Sequence, residues 1–135
     1  MTGAVAGGTS WRVINTGLRS AVVGVRAITI DPATPSTIYV CSPSGFIFKS
    51  ADGGGSWTAI GGVAGARSVV IDPTDSSTIY AGTGHGIVKS TDRGESWIGV
   101  NTGLTDTSIS MLAIDPFTPS TLYAVTFRRA VLQKR

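Results

Sequence analysis

The chain is poor in the residues that most chemistry needs. Its single cysteine, Cys41, excludes an internal disulfide and any cysteine-based zinc cluster. His85 is its lone histidine and Glu95 its lone glutamate. A histidine flanked by Gly84 and Gly86 reads as an exposed turn residue without a second ligand for a metal, so no cofactor is expected. A glycosidase of the usual kind needs two carboxylates flanking one bond, and a single Glu makes that arrangement hard to supply. Charged residues make up only 14% of the chain, with a net charge of +3. The basic pairs Arg128–Arg129 and Lys134–Arg135 form no stripe interleaved with stacking aromatics, so nucleic acid is not an expected partner. No stretch approaches the roughly 18 uninterrupted apolar residues of a membrane span. The opening residues lack the basic region and long apolar run of a secretory signal. The expectation is a soluble chain of undetermined compartment, which could be a piece of an exported protein.

What the chain does have is repetition. An Ile-Asp-Pro step occurs at Ile30–Pro32, Ile71–Pro73 and Ile114–Pro116, and eight residues after each Asp stands Tyr39, Tyr80 or Tyr123. A period near forty residues belongs either to helical solenoids or to four-stranded propeller blades. Short alternating runs rich in Ile, Val, Thr, Tyr and Gly favour strands. The middle unit reads as strands over 67–72, 78–82 and 87–91 and a fourth running through Val100, with a Pro-Asp-Ser turn over 73–77. The first unit repeats this order. The third begins over 109–114 and 121–126, continues into 130–133, and has no fourth strand. Residues 9–15 (TSWRVIN) align instead with 95–101 (ESWIGVN), and Asn15–Leu18 recurs as Asn101–Leu104. The expected organisation is one propeller-segment domain over 1–135. It comprises an orphan outer strand at 9–15, blade 1 at 24–61, blade 2 at 66–101 and a partial blade 3 at 108–134. The fold class is all-β, with three blades, one of them split between the chain ends.

Two hairpins carry the sequence S-x-D-x-G-x-S-W, at Ser50–Trp57 and Ser90–Trp97. This resembles the Asp-box, or BNR repeat, of sialidase-type propellers, and the surrounding pattern is similar to repeats of xyloglucanases, sortilin-type receptors and photosystem assembly factors. The resemblance implies that Asp52, Gly54 and Trp57, with Asp92, Gly94 and Trp97, are structural and not catalytic. A carboxylate there can accept N–H groups of its own turn, and the glycine can adopt angles closed to other residues. Trp11, Trp57 and Trp97 are expected in the core. Before Trp11 the motif Asp is replaced by Ala6, so the first box is broken.

Three blades cannot close a ring, since propellers use about four to eight. The expected partner is therefore the chain itself, in a homodimer of six blades with the leading strand of each copy added to the outer edge of the other's third blade; the rival readings are a trimer of nine blades and a piece of a longer propeller. Arg26 and Arg67 occupy equivalent places at the start of inner strands, where the third unit has Ser110. Guanidinium groups repeated around a channel mouth suit a carboxylate, sulfate or phosphate, and the bland alternative is that each covers apolar surface and pairs with an Asp. The expected function is a non-catalytic scaffold or binding module for an anionic or glycan ligand. The alternative is a fragment of a sialidase- or xyloglucanase-like glycoside hydrolase.

Overall fold

A computed structural model describes residues 10–18, 25–42, 46–60, 63, 65–128 and 130–135. Ala6, Thr9, Gly24 and Arg129, on which parts of the sequence reading fall, lie outside the described residues. The protein is all-β, and among the described residues there is no helix. Among the described residues eleven strands form three antiparallel meanders. Blade 1 holds β1 (Ala27–Ile30), β2 (Ile38–Cys41), β3 (Ile47–Ser50) and β4 (Thr58–Ile60). Blade 2 holds β5 (Ser68–Asp72), β6 (Asp75–Thr83), β7 (Gly86–Ser90) and β8 (Ile98–Gly99). Blade 3 holds β9 (Ile109–Ile114), β10 (Leu122–Thr126) and β11 (Val131–Lys134), so its outer strand β11 pairs on one side only.

The turns after the inner strands explain the recurrent Asp-Pro step. Asp31 Oδ1 accepts the N–H groups of Ala33 and Thr34 at 2.9 and 3.3 Å. Asp115 Oδ1 accepts those of Phe117 and Thr118 at 2.9 and 3.2 Å. Each carboxylate thus satisfies donors that proline has kept out of the ladder. Blade 2 departs from the expected turn over 73–77. There Asp72 accepts from both the N–H and the hydroxyl of Thr74, Asp72 pairs with Asp75 across a bulge, and β6 begins at Asp75.

Strand alternation gives each blade two faces. Tyr39, Cys41 and Ile47 of blade 1 pack against Val69, Ile71, Ile79 and Ala81 of blade 2, with Val63 and Ala66 from the connection between them. On the other side of blade 2, Val70, Tyr80 and Ile87 meet Leu112, Ala124 and Leu132 of blade 3. Each fully buried aliphatic side chain in these seams contributes about 1.5–3 kcal/mol, and Ile47, Ile79 and Ile109 are all 0% exposed. The two seams are copies, each joining the trailing face of one blade to the leading face of the next. Thr29 Oγ1 bonding to the Val69 carbonyl, and Leu112 N–H donating to Ser68 Oγ at 3.0 Å, tie the inner strands across them.

The outermost faces complete neither seam. The trailing face of blade 3 presents Met111, Tyr123 and Val131 to solvent. The leading face of blade 1 is only partly covered. The segment 10–18 lies against it as an arm that joins no ladder, with Leu18 buried among Ile38, Val40, Phe48 and Trp57, while Ile28 and Ile30 remain exposed.

Candidate ligand and partner surfaces

The antiparallel connections place the starts of β1, β5 and β9 at one end of the blades, together with the β6–β7 and β10–β11 reversals. The carboxylates are segregated along this axis, whereas cations stand at both ends, with Arg93, Lys134 and Arg135 at the far one. Asp31, Asp72, Asp75 and Asp115 occupy the turns at the far end, as do Asp52, Asp92 and Glu95 in the two hairpins, which leaves Asp106 as the one carboxylate at the near end. Arg26, Arg67 and Arg128 stand at the near end. The near end therefore carries three guanidinium groups against one carboxylate, a balance that favours the approach of an anion.

Arg26 and Arg67 occupy equivalent ladder positions. Their N–H groups donate at 2.8 Å to the carbonyls of Cys41 and Gly82 respectively. Their side chains differ. Arg26 is exposed, whereas Arg67 is half-buried, with its guanidinium carbon 4.5 Å from the centre of the Phe127 ring. Arg67 Nη1 is buried without a hydrogen-bond partner, and Asp106 Oδ2 is likewise buried and unpartnered. A guanidinium stacked on an aromatic keeps its edge free for an oxygen ligand. Gly84 lies beneath it, where a Cβ would come within 2.9 Å of Nη1. Ser110, the third member of the series, turns its hydroxyl to the Val125 carbonyl at 3.1 Å. Phe127 and Asp106 carried no signal in the sequence, because only the packing of blade 3 on blade 2 brings them to Arg67's end. His85 is exposed in its reversal. Among the described residues no group of three His, Cys, Asp or Glu can hold a metal.

The two motif hairpins are closed networks. In the first, Ser50 Oγ donates to Asp52 Oδ1 at 2.8 Å and accepts the Gly54 N–H at 2.8 Å, while the N–H and hydroxyl of Ser56 donate to the two Asp52 oxygens, each at 2.9 Å. The second repeats the pattern through Ser90, Asp92, Gly94 and Ser96. Hydrogen bonds from Ser50 and then Ser56 hold the Asp52 carboxyl below the usual range. Those from Ser96 and then Ser90 bring Asp92 to about 2. Carboxylates held ionised with their lone pairs engaged are poor general acids.

The aromatic residues divide by what covers them. Trp57 is 5% exposed and its Nε1 donates to the Ile14 carbonyl at 2.8 Å, while Trp97 is half-buried against the blade 1–2 core. Trp11 departs from the expected core position: it is 100% exposed, because the arm that carries it has no blade on its outer side within the chain. Tyr39 is buried at 1%, Tyr80 is partly buried in the next seam, and Tyr123 is 38% exposed on the bare face of blade 3.

On the leading face of blade 3, beside β11, a largely apolar cavity of about 160 Å³ lies against blade 2; Ile87, Val100, Leu104, Leu122, Ala124 and Leu132 supply its apolar wall, and Thr102, Thr105, Gln133 and Lys134 its polar part.

No protein-family model matches the chain, and no curated protein matches it. Solved structures do. A GH74 enzyme from Niastella koreensis is 25% identical, with a TM-score of 0.65 over 82% of this chain and 21% of that one. The GH74 xyloglucanase from Xanthomonas campestris is 17% identical, with a TM-score of 0.66 over 90% of this chain and 23% of that one. YCF48 bound to D1 peptide is 13% identical, with a TM-score of 0.61 over 82% of this chain and 36% of that one. These neighbours are β-propeller proteins, and the three meanders are propeller blades. The chain spans between 21% and 36% of their lengths.

Proposed function

We propose that this chain is a non-catalytic Asp-box propeller segment that builds a complete ring with a second copy of itself and offers the channel mouth to an anionic or glycan ligand. The observation that carries the reading is the pair of unfinished faces. Blade 3 ends in the trailing type of face, with Met111, Tyr123 and Val131 exposed, and blade 1 begins in the leading type, with Ile28 and Ile30 exposed. The chain already joins these two types twice within itself, so it carries both halves of a head-to-tail seam. Two such seams close six blades, within the size range of propellers, and a trimer would close nine. An apolar blade face left bare is an association surface.

Light scattering tests this directly: twice the chain mass is expected for wild type, and the chain mass for Tyr123→Glu, which puts a charge into the seam. A wild type that stays at the chain mass at high concentration overturns the reading. Ligand binding is tested apart from assembly by titrating a sialylated or sulfated glycan into wild type and Arg67→Ala. Equal affinity in both removes Arg67 from the site.

A second reading, a piece of a glycoside hydrolase, is favoured by the 25% identity to a GH74 enzyme. Release of reducing sugar from β-glucans by this chain would support it. Asp31 and Asp115 are engaged by turn N–H groups and Asp52 and Asp92 by their hairpins, which supports the non-catalytic reading.

A further inference from the structure

We infer that Trp11 of a second copy fills the apolar cavity of blade 3, acting as the side-chain plug that locks the ring seam. The inference rests on the self-assembly reading above and names the contact that makes it specific.

In blades 1 and 2 the leading face holds one tryptophan from the fourth-strand segment. Trp57 sits on Ile38, Val40 and Phe48 beside Leu18. Trp97 packs in the cluster that contains Ile79, Ala81, Val88 and Val63. The strand registers make the corresponding residues of blade 3 Leu122, Ala124 and Leu132, since Val40 faces Phe48, Ala81 faces Val88, and Ala124 faces Leu132. Leu104 stands where Leu18 does, in the second copy of the Asn-Thr-Gly-Leu sequence. Those four residues line the cavity beside β11. It is therefore a tryptophan slot whose tryptophan blade 3 does not supply.

The chain has a tryptophan without a slot. Trp11 takes the motif place of Trp57 and Trp97, and it is fully exposed. The arm is already seated as a fourth strand would be. A Cβ on Gly54 would come within 2.5 Å of Ile14 Cδ1, and a Cβ on Gly94 would come within 2.5 Å of Ile60 Cδ1, where Ile60 belongs to the fourth strand of the blade before. Ile14 thus touches blade 1 as Ile60 touches blade 2, and the arm occupies the outer-strand place of a blade that lies beyond blade 1. Blade 2 stands between blade 1 and the cavity in the same chain, so the blade that Trp11 reaches is blade 3 of another copy. There residues 11–15 also meet the free edge of β11, whose backbone groups need a partner strand. A tryptophan passing from full exposure into an apolar slot at the centre of a seam is the kind of contact on which association most depends.

The experiment compares wild type with Trp11→Ala and Trp11→Phe by sedimentation over a concentration series, using protein carrying 5-fluorotryptophan for fluorine spectra of the same samples. Trp11 is exposed in the single chain, so its truncation leaves the fold intact. Assembly weakened by about 30-fold or more in Trp11→Ala, partial recovery in Trp11→Phe, and a Trp11 fluorine signal that moves to a solvent-shielded position as the chains associate are the expected results. If wild type assembles but Trp11→Ala assembles equally well and the Trp11 signal keeps its solvent-exposed position, the plug is wrong and the ring reading survives. If wild type never assembles, both are wrong.

Discussion

Alanine at Gly54 and at Gly94 should have unequal consequences, although the two sites are nearly superimposable. Their φ angles are 94° and 92°, so each alanine meets the same left-handed strain, of about 1–2 kcal/mol. Each new Cβ also meets an isoleucine Cδ1 at 2.5 Å. The difference lies in what holds that isoleucine. Ile60 pairs with Ile47 in the ladder of blade 1 and packs against the core between blades 1 and 2, so it yields only by leaving its rotamer or shifting β4. That adds about 1–2 kcal/mol. Ile14 sits on the arm, which joins no ladder, and its carbonyl is held by the Trp57 indole. Its side chain, 37% exposed, can turn toward solvent at little cost while that hydrogen bond stays in place. Urea unfolding of monomeric samples should give a loss of about 2–4 kcal/mol for Gly94→Ala, against about 1–2 kcal/mol for Gly54→Ala. Equal losses would refute the view that the arm holds Ile14 less firmly than the ladder of blade 1 holds Ile60.

Three further outcomes follow from the same geometry. Asp92 has a folded-state pKa of about 2, below its ordinary 3.8, so its stabilising effect is complete above about pH 4 and is lost as pH falls toward 2. Asp92→Asn should flatten the acid limb of a pH–stability profile, and an unchanged limb would show that the Ser90 and Ser96 hydrogen bonds do not persist in solution. Burial pushes the Cys41 thiol from 9.0 up to about 11, so the native protein should resist a thiol-specific disulfide reagent at pH 8 and react fully in denaturant. Rapid labelling of the folded chain would contradict that burial. Arg93 holds a positive φ of 63° where the first hairpin has Gly53 at 69°, and Arg93→Gly should raise the urea midpoint by the equivalent of about 0.5–1 kcal/mol. A lowered midpoint would mean that the arginine side chain contributes more than its backbone strain costs.

The sequence alone determined what is local. The Ile-Asp-Pro turns, the two hairpins and the inner strands are each set by residues within about one turn of one another. The carboxylate of Asp31 needs only Ala33 and Thr34, and that of Asp52 only Ser50 and Ser56. Repetition then made the blades readable, because a period is visible without any knowledge of contacts. The boundary that failed, at Asp75, lies where a bulge between Ile71 and Asp72 shifted the pairing, and propensity carries little information about such a shift. Tertiary structure decided the rest. It stacked Arg67 on Phe127, sixty residues away, and left Nη1 unpartnered. It buried Trp57 and exposed Trp11, although both stand at one motif position. It also formed the largely apolar cavity between blades 2 and 3 beside β11. The physical reason is that a strand's pattern states which side chains share a face, whereas the surface that covers that face belongs to another blade.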